Sequence, residues 1–244
     1  MNLVIDQGNT VSKLAVFSGS ELVARIVAPM LSAEVLIQVF TKFPQIKNGI
    51  LSSVATYEDE ISTFLRTKLS VFIILNSETP LPITNSYKSK QSLGYDRIAD
   101  AVGANVMFPG YDVMIIDAGT AITIDLLTKN GEFFGGNISP GLDLRFSALH
   151  EFTKKLPLEK KSNDFPILGK TTSEAIIAGV LNGVVFELDG YIEALKGQYP
   201  DIKIILTGGD INYFEKKLKN SIFANSNLNL TGLNRILEYN VEKI

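Results

Sequence analysis

Two short stretches of this chain are built on one plan. Met1 to Asp6 is an apolar, β-rich run ending in an acid, Gln7-Gly8-Asn9-Thr10 is a turn signal, and Val11 to Phe17 returns as a second strand. Further on, Met114-Ile115-Ile116 again ends in an acid, Asp117. Ala118-Gly119-Thr120 again turns, and Ala121 to Leu127 again reads as strand. Ile5 and Ile116, Asp6 and Asp117, Gly8 and Gly119, Asn9 and Thr120, Ser12 and Thr123 are each 111 positions apart. Solenoid repeats run about 20–50 residues, so this spacing predicts a duplicated domain. The turn-rich Phe108-Pro109-Gly110 precedes the second hairpin and marks the boundary, giving halves over 1–110 and 111–244.

Strands and helices alternate between these hairpins. Ser32 to Phe43 has helical spacing, Lys47 to Val54 and Ser70 to Leu75 read as strands, and Tyr57 to Lys68 reads as a helix between them. Asp96 to Met107 is a helix of small residues (Ala99, Ala101, Gly103, Ala104) suited to tight packing. Ser173 to Leu195 is a long helix, and Asp201 to Leu206 a strand closing on Thr207-Gly208-Gly209-Asp210. The alternation predicts an α/β fold, each half a mixed sheet flanked by helices, with a cleft between the two.

Composition narrows the chemistry. Lys and Arg number 23 against 26 Asp and Glu, a net charge of −3, so a general electrostatic grip on nucleic acid is not expected. There is no cysteine, and His150 is the single histidine, which removes thiolate chemistry and any multi-histidine metal centre. No segment is expected to reach the ~18 apolar residues a membrane helix needs, and the N-terminus lacks a basic start and a long apolar stretch. The expectation is a cytoplasmic protein that does not engage a membrane. Carboxylates, hydroxyls, lysine, arginine and backbone amides remain, an inventory suited to phosphate chemistry.

In Asp6-Gln7-Gly8-Asn9-Thr10 the glycine lets backbone amides approach an anion, and the acid can hold a hydrated Mg²⁺ facing it. Thr10 and Lys13 add a hydroxyl and a positive charge. The same sequence also suits a plain hairpin, but its copy at Asp117-Ala118-Gly119-Thr120 suggests two loops that clamp a polyphosphate. Gly208-Gly209 at a strand end leaves room for a flat group such as adenine, or starts a helix capped by Asp210. Gly135-Gly136-Asn137-Ile138-Ser139-Pro140-Gly141 reads as a fourth glycine-rich loop, a turn or a shaped ligand loop. In Leu93-Gly94-Tyr95-Asp96-Arg97, Asp96 suits a general base for a hydroxyl and Arg97 suits a substrate carboxylate or carbonyl. The same five residues also suit an acidic first turn of a helix.

Taken in order, Asp6-x-Gly8-Asn9-Thr10, Gly94-x-Asp96-Arg97, Asp117-x-Gly119-Thr120-Ala121-x-Thr123-x-Asp125, Gly135-Gly136-x-Ile138-x-Pro140-Gly141 and Thr207-Gly208-Gly209-Asp210 resemble the type III pantothenate kinases. These belong to the acetate and sugar kinase, heat-shock chaperone and actin superfamily. The resemblance implies two ribonuclease H-like, actin-like ATPase domains and an ATP-dependent kinase making 4'-phosphopantothenate, the first step of coenzyme A synthesis. It implies that Asp6, Gly8, Asn9, Thr10, Lys13, Gly119, Thr120, Gly208 and Gly209 bind ATP, with Asp6 holding Mg²⁺ through water. Asp117 would ligate K⁺ or NH₄⁺. Tyr87, Gly94, Tyr95, Asp96, Arg97 and Thr172 would hold pantothenate, with Asp96 as base. A homodimer is implied, the second half forming much of its interface.

Two positions depart from the family pattern: Lys90 replaces the proline usual three residues after the substrate tyrosine, and Tyr95 is bulkier than the usual small aliphatic. The first predicts a more mobile Tyr87 loop. Gly169-Lys170-Thr171-Thr172 imitates the end of a P-loop, but Asp164 stands where its first glycine belongs. Thr171-x-x-Glu174 reads instead as a capping box. Lys154 to Lys161 reads as a solvated charged face, His150 as a structural or interface residue, and Phe133 and Phe134 as core. The alternative function on the same scaffold is a non-catalytic ATP-binding transcription regulator, against which the intact Asp6, Asp96, Arg97 and Asp117 argue.

Overall fold

The computed structural model describes residues 1–8, 11–53 and 59–243, so Asn9, Thr10, 54–58 and Ile244 lie outside the described residues. The chain divides into two compact units. The first comprises Met1–Pro109, Gly131–Phe133 and Asn227–Ile244; the second comprises Gly110–Asn130 and Phe134–Ser226.

In the first unit, β1 (Asn2–Gln7), β2 (Ser12–Ser18) and β3 (Glu21–Ala28) form an antiparallel meander, followed by α1 (Ala33–Lys42), β4 (Asn48–Ser53), α2 (Asp59–Lys68) and β5 (Val71–Ile74). The sheet order is β3-β2-β1-β4-β5, with β4 and β5 parallel to β1. Strand β6 (Thr84–Asn85) and helix α3 (Tyr95–Met107) complete the first half of the sequence. Strand β3 alternates exposed and half-buried residues, the pattern of an edge strand with one solvated face.

The second half repeats the plan. β7 (Val113–Ala118), β8 (Ala121–Leu127) and β9 (Glu132–Pro140) are followed by α4 (Leu142–Glu151), α5 (Thr172–Gln198), β10 (Lys203–Thr207), α6 (Ile211–Phe214), β11 (Phe223–Ala224) and α7 (Leu228–Val241). The second sheet runs β6-β9-β8-β7-β10-β11, the order of the first sheet with β6 added beyond β9, and β10 and β11 are again parallel. The predicted mixed α/β duplication is therefore present. One detail of the 111-residue offset is corrected. Asp6 lies opposite Lys13, whereas Asp117 lies opposite Thr123. Thr123 therefore corresponds to Lys13 and not to Ser12, because the second turn is one residue shorter.

The last helix also departs from the expected division at 111–244. Helix α7 groups with the first unit because it packs backbone to backbone on α3. A Cβ on Gly232 would lie 1.7 Å from the Ala99 carbonyl oxygen, and one on Gly103 would lie 2.4 Å from the Leu228 carbonyl oxygen. The small-residue face of α3 thus has α7 as its partner. Asn2 Nδ2 donates to Asn234 Oδ1 at 3.0 Å, tying α7 to β1.

Each unit has its own core. Leu3, Ile5, Leu14, Val16, Leu36 and Leu51 lead the first, and Met114, Ile116, Leu181, Val184, Leu206 and Phe214 lead the second. The expectation that no segment is long and apolar enough to cross a membrane is corrected: by length and composition α5 is, with a mean hydropathy of 1.5 over 18 residues. Its face bearing Leu181, Val184, Leu188 and Ile192 is fully buried in the second core, which accounts for that composition.

Candidate active site

Strand β1 is buried from Asn2 through Ile5 and emerges at Asp6, which is half-buried. Asp6 therefore stands where a central strand leaves the core, at the carboxyl end of a strand paired in parallel with β4. Open α/β sheets bind ligands at such ends. Lys13, opposite on β2, brings its Nζ to 3.9 Å from Asp6 Oδ2, a loose ion pair. Gly8 closes the turn by donating its N–H to the Val11 carbonyl at 3.1 Å.

Helix α3 brings a second carboxylate to this place. Burial raises the Asp6 pKa above its ordinary 3.8; Lys13 opposes the rise and the negative charge of Asp96 adds to it. Two acids 90 positions apart in sequence thus sense each other within the first unit. Asp96 Oδ1 accepts the Arg97 backbone N–H at 2.8 Å, which fixes the carboxylate against the first turn of α3. Gly94 permits this pose: a Cβ there would lie 2.4 Å from Asp96 Oδ1. Asn229 Nδ2, on α7, donates to the Asp96 carbonyl at 3.2 Å.

Arg97 is buried at 5% exposure, with its guanidinium carbon 5.3 Å from the Tyr87 ring centre and 5.8 Å from that of Phe133. Such ring faces attract a cation and restrict its rotamers. The Tyr87 loop is anchored by means other than the missing proline. Thr84 and Asn85 pair in parallel with Glu132 and Phe133, and Ser86 N–H donates to the Phe133 carbonyl at 3.1 Å. Ser86 Oγ also donates to Glu132, and Tyr87 N–H to Asn85 Oδ1 at 3.0 Å. Phe133 is core, as expected, while Phe134 is 64% exposed. The ties made by Glu132, Phe133 and Asn229 had no local sequence signal.

The second unit assembles the other motif residues. β7 is buried through Ile116, and Asp117 is half-buried at its end. Gly119 N–H donates to the Ala121 carbonyl at 3.0 Å, and the Thr120 carbonyl accepts Gly141 N–H at 3.0 Å. Gly208, at φ +98°, lies over this loop; a Cβ there would be 2.3 Å from the Ala118 carbonyl oxygen and 2.4 Å from Asp117 Oδ1. Asp210 N–H donates to the Ala118 carbonyl at 2.9 Å. Gly209 is exposed, with open space beside it. Asp117, Gly119, Thr120 and Gly208 are thus neighbours. Thr172 instead opens α5 on a largely apolar groove of about 1070 Å³ between α4 and α5.

Several motif expectations change. Gly135 and Gly136 lie within β9, not in a loop, and Gly136 is needed because a Cβ would sit 1.9 Å from the Ile124 carbonyl oxygen on β8. Asp210 makes no side-chain cap for α6; Lys161 Nζ holds its Oδ1 at 2.8 Å. Lys161 is accordingly more than a solvated charge. Thr171 caps α5 by accepting Glu174 N–H at 3.2 Å, while Glu174 accepts Lys170 N–H at 2.7 Å, so the apparent P-loop ending is a helix cap. His150 Nδ1 is 2.8 Å from the Leu156 carbonyl, a structural contact.

The type III pantothenate kinase family model matches residues 2–194. A type III pantothenate kinase from Phocaeicola vulgatus is 47% identical over 240 residues, 98% of this chain and 99% of that one. Among solved structures, a Campylobacter jejuni chain described as a Baf family transcriptional activator superposes with a TM-score of 0.62 at 22% identity, covering 98% of this chain and 99% of its own. A glucokinase from an Antarctic psychrotroph superposes with a TM-score of 0.57 at 11% identity, covering 98% of each chain. At such identities the structural likeness speaks for fold alone, the two-domain fold shared by sugar kinases and actin-like ATPases.

Proposed function

The chain belongs to the type III pantothenate kinase family, and from that premise we infer that it phosphorylates pantothenate with ATP, opening coenzyme A synthesis. The observation that supports the site assignment is the held pose of Asp96, whose Oδ1 accepts the Arg97 N–H beside Gly94 while its charge acts on the Asp6 carboxyl within the first unit. A carboxylate at the start of α3, tied by a backbone N–H, has a neighbour acid at the end of β1. We assign Asp96 as the general base. It accepts the proton of the primary hydroxyl of pantothenate as the oxygen attacks the γ-phosphorus, while the phosphoryl group leaves ADP. Little other covalent work falls to the protein in such a transfer, which relies on positioning and charge neutralisation.

Gly94, Tyr95, Arg97 and Tyr87 hold pantothenate beside Asp96, Arg97 meeting its carboxylate or a carbonyl; Thr172 is the second unit's substrate contact. Gly8, Asn9, Thr10 and Lys13, with Gly119, Thr120, Gly208 and Gly209, bind ATP. Asp6 suits Mg²⁺ held through water: it is half-buried and its ion pair with Lys13 is loose. Asp117 suits K⁺ or NH₄⁺, because Gly208 leaves space against its Oδ1 that a side chain would fill. Such a cation supplies charge neutralisation at the phosphates. The division into an N-terminal and a C-terminal actin-like half is retained for the catalytic loops, with α7 serving the first.

We place the enzyme in the cytoplasm as a homodimer built on the second unit, acting on small molecules and not on nucleic acid or membrane. Phe134, Ile138, Phe152, Ile167, Leu168 and Phe186 of that unit are all more than half exposed, a concentration of apolar surface that suits a second copy. The test of function is coupled ADP release with pantothenate, with and without K⁺, for wild type and Asp96→Asn. Turnover should depend on K⁺ and fall by about 10²–10⁴ in the variant, while ATP still binds. Undiminished turnover removes the base assignment. ATP binding by wild type without pantothenate-dependent ADP favours the regulator.

A further inference from the structure

The connection between α4 and α5, residues 152–171, contains no helix or strand, and structureless connections of this length inside a compact unit are uncommon without a function. Its end is stitched along α6 and the turn before it. Lys161 Nζ lies 2.8 Å from Asp210 Oδ1 and 3.2 Å from Asp143 Oδ2. The Tyr213 hydroxyl donates to the Ser162 carbonyl at 2.8 Å. Lys217 Nζ donates to the Asn163 carbonyl at 3.1 Å and sits 5.0 Å from the ring centres of both Phe165 and Tyr213. Residues 161–165 form a strap.

The strap acts on one place. Asp210 follows Gly208 and Gly209, and its backbone N–H holds the Ala118 carbonyl beside Asp117. Its side chain is only 15% exposed. A carboxylate so placed, next to glycines assigned to ATP, would repel a polyphosphate and would be costly to keep ionised without a partner. Lys161 supplies that partner and shares its charge with Asp143.

We propose that Lys161 is a positioning residue of the ATP site: it cancels the charge of Asp210 and holds the Gly208-Gly209 turn against the Asp117 loop. This rests on the assignment of Gly208 and Gly209 to ATP. The test compares wild type, Lys161→Met and Lys161→Arg by steady-state kinetics and by direct titration with a non-hydrolysable ATP analogue. Lys161→Met should raise the KM for ATP and the Kd of the analogue by about 5–10-fold, leave the KM for pantothenate unchanged, and lose much of its defect at high ionic strength. Lys161→Arg should restore wild-type values to within about twofold, since it keeps the charge.

Unchanged ATP binding in Lys161→Met, or equal rises in both KM values, would overturn the proposal. Wild type that binds the analogue but forms no pantothenate-dependent ADP would instead sink the kinase reading, and the titration would still decide the role of Lys161. If Lys161→Met does not fold, Tyr213→Phe decides. It removes the hydrogen bond to Ser162 without changing charge. A selective weakening of ATP binding supports the strap, and none overturns it.

Discussion

Gly94→Ala separates folding from catalysis at one atom. The backbone at Gly94 has φ −60° and ψ 132°, which alanine adopts without strain. The residue is the N-cap of α3 and makes no side-chain cap, but glycine is preferred to alanine there, so the change costs about 0.5–1 kcal/mol. The added methyl, however, would stand 2.4 Å from Asp96 Oδ1, whereas ordinary contacts begin at 3.4 Å. The nearest atoms are all in the Asp96 side chain, which can swing away cheaply. The carboxylate oxygen must retreat by about 1 Å, giving up its 2.8 Å bond from the Arg97 N–H. A misplacement of about 1 Å costs roughly 10²-fold in rate. Coupled ADP release should therefore show kcat down by about 10²-fold, while the thermal midpoint falls by no more than about 4 °C. A folded Gly94→Ala enzyme with kcat within twofold of wild type would refute the claim that the Asp96 pose is what Gly94 protects.

Other consequences follow from the same geometry. Burial, joined by the charge of Asp96 and opposed by Lys13, raises the Asp6 pKa above 3.8, so the folded state binds that proton more tightly than the unfolded chain. The ionised group then opposes folding at pH 7, and this penalty disappears as the pH falls towards 3.8. Asp6→Asn should accordingly melt higher than wild type at pH 7, with the gap closing near pH 4, and should lose activity; a lower melting point at pH 7 would contradict the burial argument. Gly232→Ala places a methyl 1.7 Å from the Ala99 carbonyl oxygen, where only backbone surrounds it. Urea unfolding should show a loss of at least about 1–3 kcal/mol, and an unchanged midpoint would deny the close α3–α7 contact. Leu168, 82% exposed, belongs to the surface assigned to the dimer. Leu168→Glu should shift the protein towards monomer in sedimentation velocity, and an unaltered dimer would place the interface elsewhere.

How much of this was legible beforehand depended on how local the cause was. The apolar runs ending in Asp6 and Asp117 are the β1 and β7 strands, because burial on both faces of a central strand demands continuous apolar residues. Gly208-Gly209 reads from the sequence as room for a flat group or a helix start, and the structure adds a further reason for glycine at 208, a φ of +98°. Gly135 and Gly136 suggested a turn, yet β9 accommodates them, since close approach to β8 is as good a reason for glycine as a bend.

The order of residues along the chain suffices for the set of groups and their succession: acids at strand ends, glycines after them, a base and an arginine together on one turn. These follow from nearest-neighbour chemistry and survive any packing. It took folding to make Asp6 sense Asp96, to set Tyr87 and Phe133 beside Arg97, to close α7 on α3, and to bring Lys161 to Asp210. Each of those pairings joins residues far apart along the chain. Their strength comes from burial and from distances of a few ångströms, which no spacing in the sequence encodes.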